Sequence, residues 1–158
     1  MVIFGIDPGL TGAIGVLRDG NFLGVEDMPT VVKGVGAVKR EISPSGLKQL
    51  LRTYGDSGDH CIAVLERVNS MPGMAASSVF SLGDSFGCSR SVIATAGVEL
   101  IYVTPQQWKR HFKLEKDKEL SRALAVRLFP TAELHLKKHH DRAESLLMAR
   151  WLWETKYA

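Results

Sequence analysis

Four acidic residues, Asp7, Glu66, Asp141 and Glu144, have a placement that would let them share metal ions. Asp7 closes the apolar run VIFGID and Glu66 closes CIAVLE, while Asp141 and Glu144 lie three apart in HHDRAESLLMARW. Carboxylates at the tips of apolar strands lose hydration, and nearby positive charge must offset that loss. Magnesium or manganese ions take oxygen ligands of this kind. Two such ions beside a phosphate would activate water and stabilise the leaving oxygen, which is the chemistry of phosphodiester hydrolysis.

Each acid also has an ordinary reading. Glu66 precedes Arg67 and could form a strand-end ion pair. Asp141 could begin a helix, with Glu144 as its capping-box partner three residues on. Asp7 is harder to explain away, because it ends a core strand. The turn that follows it, DPGLTG, resembles the phosphate cradle of actin-like and sugar-kinase ATPases. Those proteins close a second domain over the nucleotide, for which 158 residues leave no room, and no GxxxxGK[ST] motif is present. A nucleotide cofactor is therefore not expected.

Positive charge gathers near these acids. Lys109, Arg110, His111, Lys113, Lys116, Lys118, Arg122 and Arg127 fall in one segment, and Lys137, Lys138, His139 and His140 directly precede Asp141. The bland reading is a solvated helical face; adjacency to the carboxylates favours phosphate contact. The net charge of +3 permits a nucleic-acid partner without requiring one.

The elements that must position these groups can be read from the pattern. Residues 2–7 read as a buried central strand, broken by Pro8 and Gly9. AIGVLRD and NFLGVEDM, joined by an Asp-Gly turn, extend it into an antiparallel meander. Segment 30–42 reads as irregular. Ser43-Pro44 starts a helix that runs to Gly55, and HCIAVLE is the fourth strand. A long helix follows over 75–96, then the strand ELIYVT, the helices PQQWKRHF and KDKELSRALAVRLFP, and a terminal helix from Asp141. This order predicts a single α/β domain over 1–158, with a five-stranded mixed sheet and helices on both faces. If the first and fourth strands are parallel neighbours, Asp7 and Glu66 emerge at one sheet edge. Asp141 and Glu144 share a helix face that would have to point there.

Hydrophobic residues at 45% and charged residues at 23% are ordinary for a folded domain and argue against disorder. No apolar run would span a bilayer, and no secretory signal pattern opens the chain, so the cytoplasm is the expected location. Cys61 and Cys88 are not expected to form a disulfide.

Taken in order, IFGIDPGLTGAIGVL, AVLERV, VTPQQWKRHF, KDKELSRALAVRLFP and HHDRAESLLMA resemble the RuvC-type Holliday-junction resolvases. These are a branch of the ribonuclease H-like superfamily. The resemblance covers nearly the whole chain and includes versions carried by phages or mobile elements. It implies a crossover-junction endodeoxyribonuclease acting on four-way DNA as a homodimer, by paired nicking that leaves 5′-phosphate and 3′-hydroxyl ends. Asp7, Glu66, Asp141 and Glu144 would be catalytic ligands for two magnesium or manganese ions. Lys109 and Lys118 would be the catalytic basic residues. Arg110, Lys113, Lys116, Arg122, Lys137, Lys138 and His140 would contact DNA. The last motif ends in Glu144, where the family usually has Asp. In the family, the region after the second acid helps open the junction, often with an aromatic wedge. Met71, Met74 and Phe80 are the candidates here, and Phe80 falls on the apolar stripe that would bury it in the core. Dimer contact would involve the 75–96 helix. The competing functions are a broader flap or fork nuclease and a catalytically silent junction-binding protein.

Overall fold

A computed structural model describes residues 1–34, 39–55, 58–115 and 117–158. One five-stranded sheet organises the chain. Its strands are β1 (Val2–Ile6), β2 (Ala13–Arg18), β3 (Asn21–Asp27), β6 (Cys61–Glu66) and β7 (Glu99–Val103), in the spatial order β3-β2-β1-β6-β7. The β1-β2 and β2-β3 pairs are antiparallel, and the β1-β6 and β6-β7 pairs are parallel. The expected meander followed by parallel strands is thus what forms. The segment expected to be irregular differs: β4 (Thr30–Val32) and β5 (Arg40–Ile42) pair antiparallel in a separate two-stranded ribbon. Residues 35–38 of that segment lie outside the described residues. The β-branched run Thr30–Val32 and its ladder partner outweigh the nearby glycines there.

Helices cover both sheet faces. On one face, α1 (Pro44–Tyr54) and α2 (Ala76–Thr95) pack over Val2, Phe4, Ile6, Ala63 and Leu65. Ser43 caps α1 by accepting from the Gly46 N–H at 3.1 Å, as the Ser-Pro start signal predicts. On the other face, α3 (Pro105–His111), α4 (Lys118–Leu128) and α5 (His140–Lys156) pack over Ile3, Ile62 and Val64. Cys88 is a free thiol. Among the described residues, no helix is long and apolar enough to cross a membrane.

The placement of α5 depends on two glycines. Gly5 of β1 and Gly15 of β2 are cross-strand partners on the α5 face. A Cβ at Gly5 would overlap the Ser145 carbonyl oxygen, and one at Gly15 would sit 2.6 Å from the Leu146 nitrogen. Helix backbone therefore lies directly on strand backbone. Small residues Ala143, Ser145 and Ala149 complete this seam, and two turns of α5 are buried. The seam brings the first turn of α5 to the carboxyl end of β1.

Candidate active site

Strand parity sets the first half of the site. Odd-numbered β1 residues and even-numbered β6 residues face α5, and Ile6 is in register with Leu65. One step further on, Asp7 and Glu66 fall side by side, on that same face, at the end of two parallel strands. Asp7 is oriented locally, because its Oδ1 accepts the Gly9 N–H at 3.0 Å within the Pro-Gly turn. Glu66 is oriented from α3: the buried Trp108 donates its Nε1–H to Glu66 Oε1 at 3.0 Å. That partner replaces the strand-end pairing with Arg67, whose guanidinium instead lies 4.4 Å from the Tyr102 ring centroid. A Thr104–Gln107 capping box starts α3 and fixes Trp108 one residue later.

Helix α5 supplies the second half. Its N-cap is His139, without a side-chain cap bond, so Asp141 lies inside the first turn and Glu144 is not a capping-box partner. Glu144 is only 7% exposed. Its Oε1 lies 3.2 Å from the Lys109 ammonium but has no hydrogen-bond donor in hydrogen-bonding geometry among the described residues. Asp141 Oδ1 lies 3.3 Å from Lys118 Nζ and 3.3 Å from His140 Nε2. Arg142 ties the start of α5 to the end of β3 through two bonds to Asp27, at 2.7 and 2.9 Å.

The four carboxylates feel one another. Burial first, then the charges of Asp141 and Glu144, push Asp7 up to about 6 against the Gly9 hydrogen bond and Lys118. Burial, then the charges of Asp7 and Glu144, push Glu66 up to about 7 against the Trp108 hydrogen bond and Lys109. Asp7 and Glu66 are therefore coupled in their titration. Retaining uncompensated charge in a buried place at this cost is characteristic of functional sites.

The donor set suits a hard divalent cation: four carboxylates, one with a buried oxygen that lacks a donor. Among the described residues, no three His, Cys, Asp or Glu side chains converge closely enough to hold one ion as they stand. The helix carboxylates are each turned onto a lysine, which reduces the repulsion that a tighter cluster would carry.

The basic residues divide by position. Lys109 and Lys118 reach the carboxylates. Lys138 and His140 line a groove with Leu10, Thr11 and Asp141. Arg110 lines a second groove with Gln106 and Lys109. Lys113 and Lys137 are exposed in the turns after α3 and before α5. Arg122 commits its guanidinium to Glu119 and to the Leu134 carbonyl at 2.8 Å. Lys116 lies outside the described residues. Met71 is 69% exposed, and Met74 lines a cleft with Gly9, Leu10 and Thr11 beside the Asp7 turn. Phe80 is not in the core: it is 71% exposed, with Lys33 Nζ 5.9 Å from its ring. The first turns of α2 stand off the sheet, and burial on this helix begins at Ser85. Sequence reasoning missed Trp108 as a partner of Glu66 and the Gly5–Gly15 seam. The paired parity of the two glycines with Ile3 and Asp7 was the available signal for the seam.

No protein-family model matches the chain, and no curated protein matches it. Solved structures do. A Thermus thermophilus RuvC structure superposes with a TM-score of 0.58 at 18% identity, covering 98% of this chain and 96% of that chain. T. thermophilus RuvC in complex with Holliday junction substrate superposes at 0.60 and 16% identity, covering 99% and 97%. The chain therefore has the RuvC-like form of the ribonuclease H-like fold.

Proposed function

We propose that the protein is a divalent-metal-dependent endodeoxyribonuclease that resolves four-way DNA by paired nicking. The observation that carries this reading is the gathering of Asp7, Glu66, Asp141 and Glu144 within electrostatic reach of one another, with two of them raised by burial and mutual repulsion. Lys109 and Lys118 flank them. The likeness to RuvC, including a structure described as bound to Holliday junction substrate, supports the choice of DNA substrate.

Asp7, Glu66, Asp141 and Glu144 would hold magnesium or manganese. The bound ions would polarise the attacking water and stabilise charge at the phosphate. The Gly9 N–H and the Trp108 indole keep the two strand carboxylates aimed into the site. Lys109 and Lys118 offer ammonium groups to phosphate oxygens, and Lys138 and His140 extend the basic surface along the Asp141 groove. Attack by water at phosphorus, with the P–O3′ bond breaking and the 3′ oxygen leaving to take up a proton, would give a 5′-phosphate and a 3′-hydroxyl. Within this reading, residues 1–158 act as one nuclease domain. A two-fold dimer would present two such sites to a two-fold junction, and the exposed start of α2 is surface available for that contact.

The test uses synthetic four-way junctions beside flaps, forks and RNA–DNA hybrids, in magnesium and in EDTA. Paired nicks in the four-way substrate, abolished by EDTA and by Asp7→Asn with binding retained, are expected. Preferential cutting of flaps or forks would select the broader nuclease. Binding without cutting would select the silent junction binder.

A further inference from the structure

We propose that Lys109 and Lys118 are exchangeable counter-ions: each holds a helix carboxylate in the resting site and is released to a DNA phosphate when a divalent cation takes that carboxylate. The inference rests on the nuclease reading above and assigns these lysines a second task within it.

The site is asymmetric in a way that nuclease chemistry alone does not require. The strand carboxylates are held by neutral donors, the Gly9 N–H and the Trp108 indole. The helix carboxylates face ammonium groups, Glu144 that of Lys109 and Asp141 that of Lys118, the latter with His140 Nε2 at the same distance. Once all four carboxylates are ionised, as cation binding requires, two ammonium groups against them leave two negative charges, enough to attract one divalent cation. With both lysines released, the same four carboxylates balance two. The number of ions that the site accepts is therefore coupled to where the lysines are.

Both lysines have the means to move. Each sits on a long flexible side chain, and each is carried by a helix other than α5. Lys118 is 56% exposed and Lys109 20%. The pair at Glu144 lacks hydrogen-bond geometry, so release forfeits attraction but no directed bond. Lys109 also lines the groove with Gln106 and Arg110, so a short swing brings its ammonium to a surface open to phosphates. Arriving DNA and arriving cation thus assist each other: phosphate stabilises the freed ammonium, and the cation stabilises the freed carboxylate. The two ligands are linked by a reciprocal coupling.

The experiment measures Mn2+ binding to the full chain without DNA, by calorimetry and by the fluorescence of Trp108, in wild type, Lys109→Met and Lys118→Met. Trp108 is a local reporter because it touches both Glu66 and Lys109, and Trp151 and Trp153 are replaced by Phe in all three proteins to isolate it. Removing a competing ammonium should tighten the weaker Mn2+ step, about tenfold for the less exposed Lys109 and about threefold for Lys118. Equal or weaker Mn2+ binding in both variants would overturn the proposal while leaving the nuclease reading intact. Absence of Mn2+ binding in all three proteins would overturn both. Should Lys109→Met fail to fold, Lys109→Gln supplies the same comparison. In a second readout, the salt dependence of junction binding in Ca2+ should be shallower by about one unit of slope in each variant than in wild type. In EDTA, where the lysines stay on their carboxylates, that difference should vanish. An equal difference in EDTA would mean that the lysines contact phosphate regardless of the cation, and the exchange would be refuted.

Discussion

Asp7→Asn separates the chemical worth of the strand carboxylate from its cost to the fold. Folded Asp7 holds its proton up to about 6, whereas the ordinary value is 3.8. Between those values the folded chain binds a proton that the unfolded chain has released. Stability contributed by this group is therefore greatest at low pH and falls as pH rises through that window. Above it the full penalty is present. The separation of about two units corresponds to about 3 kcal/mol for a largely buried group, an upper bound because Glu66 is coupled to it. Asparagine keeps the shape and an oxygen for the Gly9 N–H but carries no charge. Thermal melts in EDTA should show Asp7→Asn more stable than wild type by about 1–3 kcal/mol at about pH 8, or ~2–4 °C per kcal/mol for a chain of this size. The gain should disappear at about pH 3.5, where both proteins are neutral at this position. Added Mn2+ should then stabilise wild type and not the variant, reversing the order. A variant no more stable than wild type at high pH, or one whose gain is independent of pH, would refute the claim that buried repulsion is stored here.

Three further outcomes follow from the geometry. Trp108→Phe removes the donor to Glu66 and so raises Glu66 beyond about 7; the acid limb of the nicking-versus-pH profile should move up by about one unit. Gly15→Ala places a methyl group 2.6 Å from the Leu146 nitrogen, where only helix displacement relieves it; chemical denaturation should show a loss of about 1–3 kcal/mol or more, with nicking lost as Asp141 and Glu144 shift. Arg142→Ala breaks the two bonds to Asp27 that pin the start of α5; nicking should fall, while the global melt changes by about 1 kcal/mol because Asp27 is mostly exposed.

Much of this site could be read without coordinates, for reasons that are local. Asp7 and Glu66 each end an apolar run, so a parallel pairing of β1 and β6, which the sequence allowed and the structure has, is enough to set them side by side. The three-residue spacing of Asp141 and Glu144 places both on one helix face whatever the helix packs against. What escaped the reading depends on contacts between distant segments. Trp108 looks like any core aromatic until its indole is seen to reach Glu66 across 42 positions of sequence. Phe80 fits an apolar stripe, but a stripe does not say where a helix leaves the sheet, and α2 leaves it before Ser85. The β4-β5 ribbon was hidden because glycines flank it and each strand is three residues long. The lysine pairs were invisible because the pattern showed positive charge near the acids without showing which ammonium faces which carboxylate.

The seam at Gly5 and Gly15 also limits how this scaffold can change. With main chain seated on main chain, α5 has no freedom to slide along the sheet or to roll, so its acids are mounted on a fixed jig. Adjusting the site to another cation, or to a differently bent phosphate backbone, cannot come from re-seating the helix. It must come from the tips: the length of an acidic side chain, or the reach of a lysine on an adjoining helix. Under the proposed metal-binding reading, Glu144, one methylene longer than an aspartate, would be an adjustment of that kind.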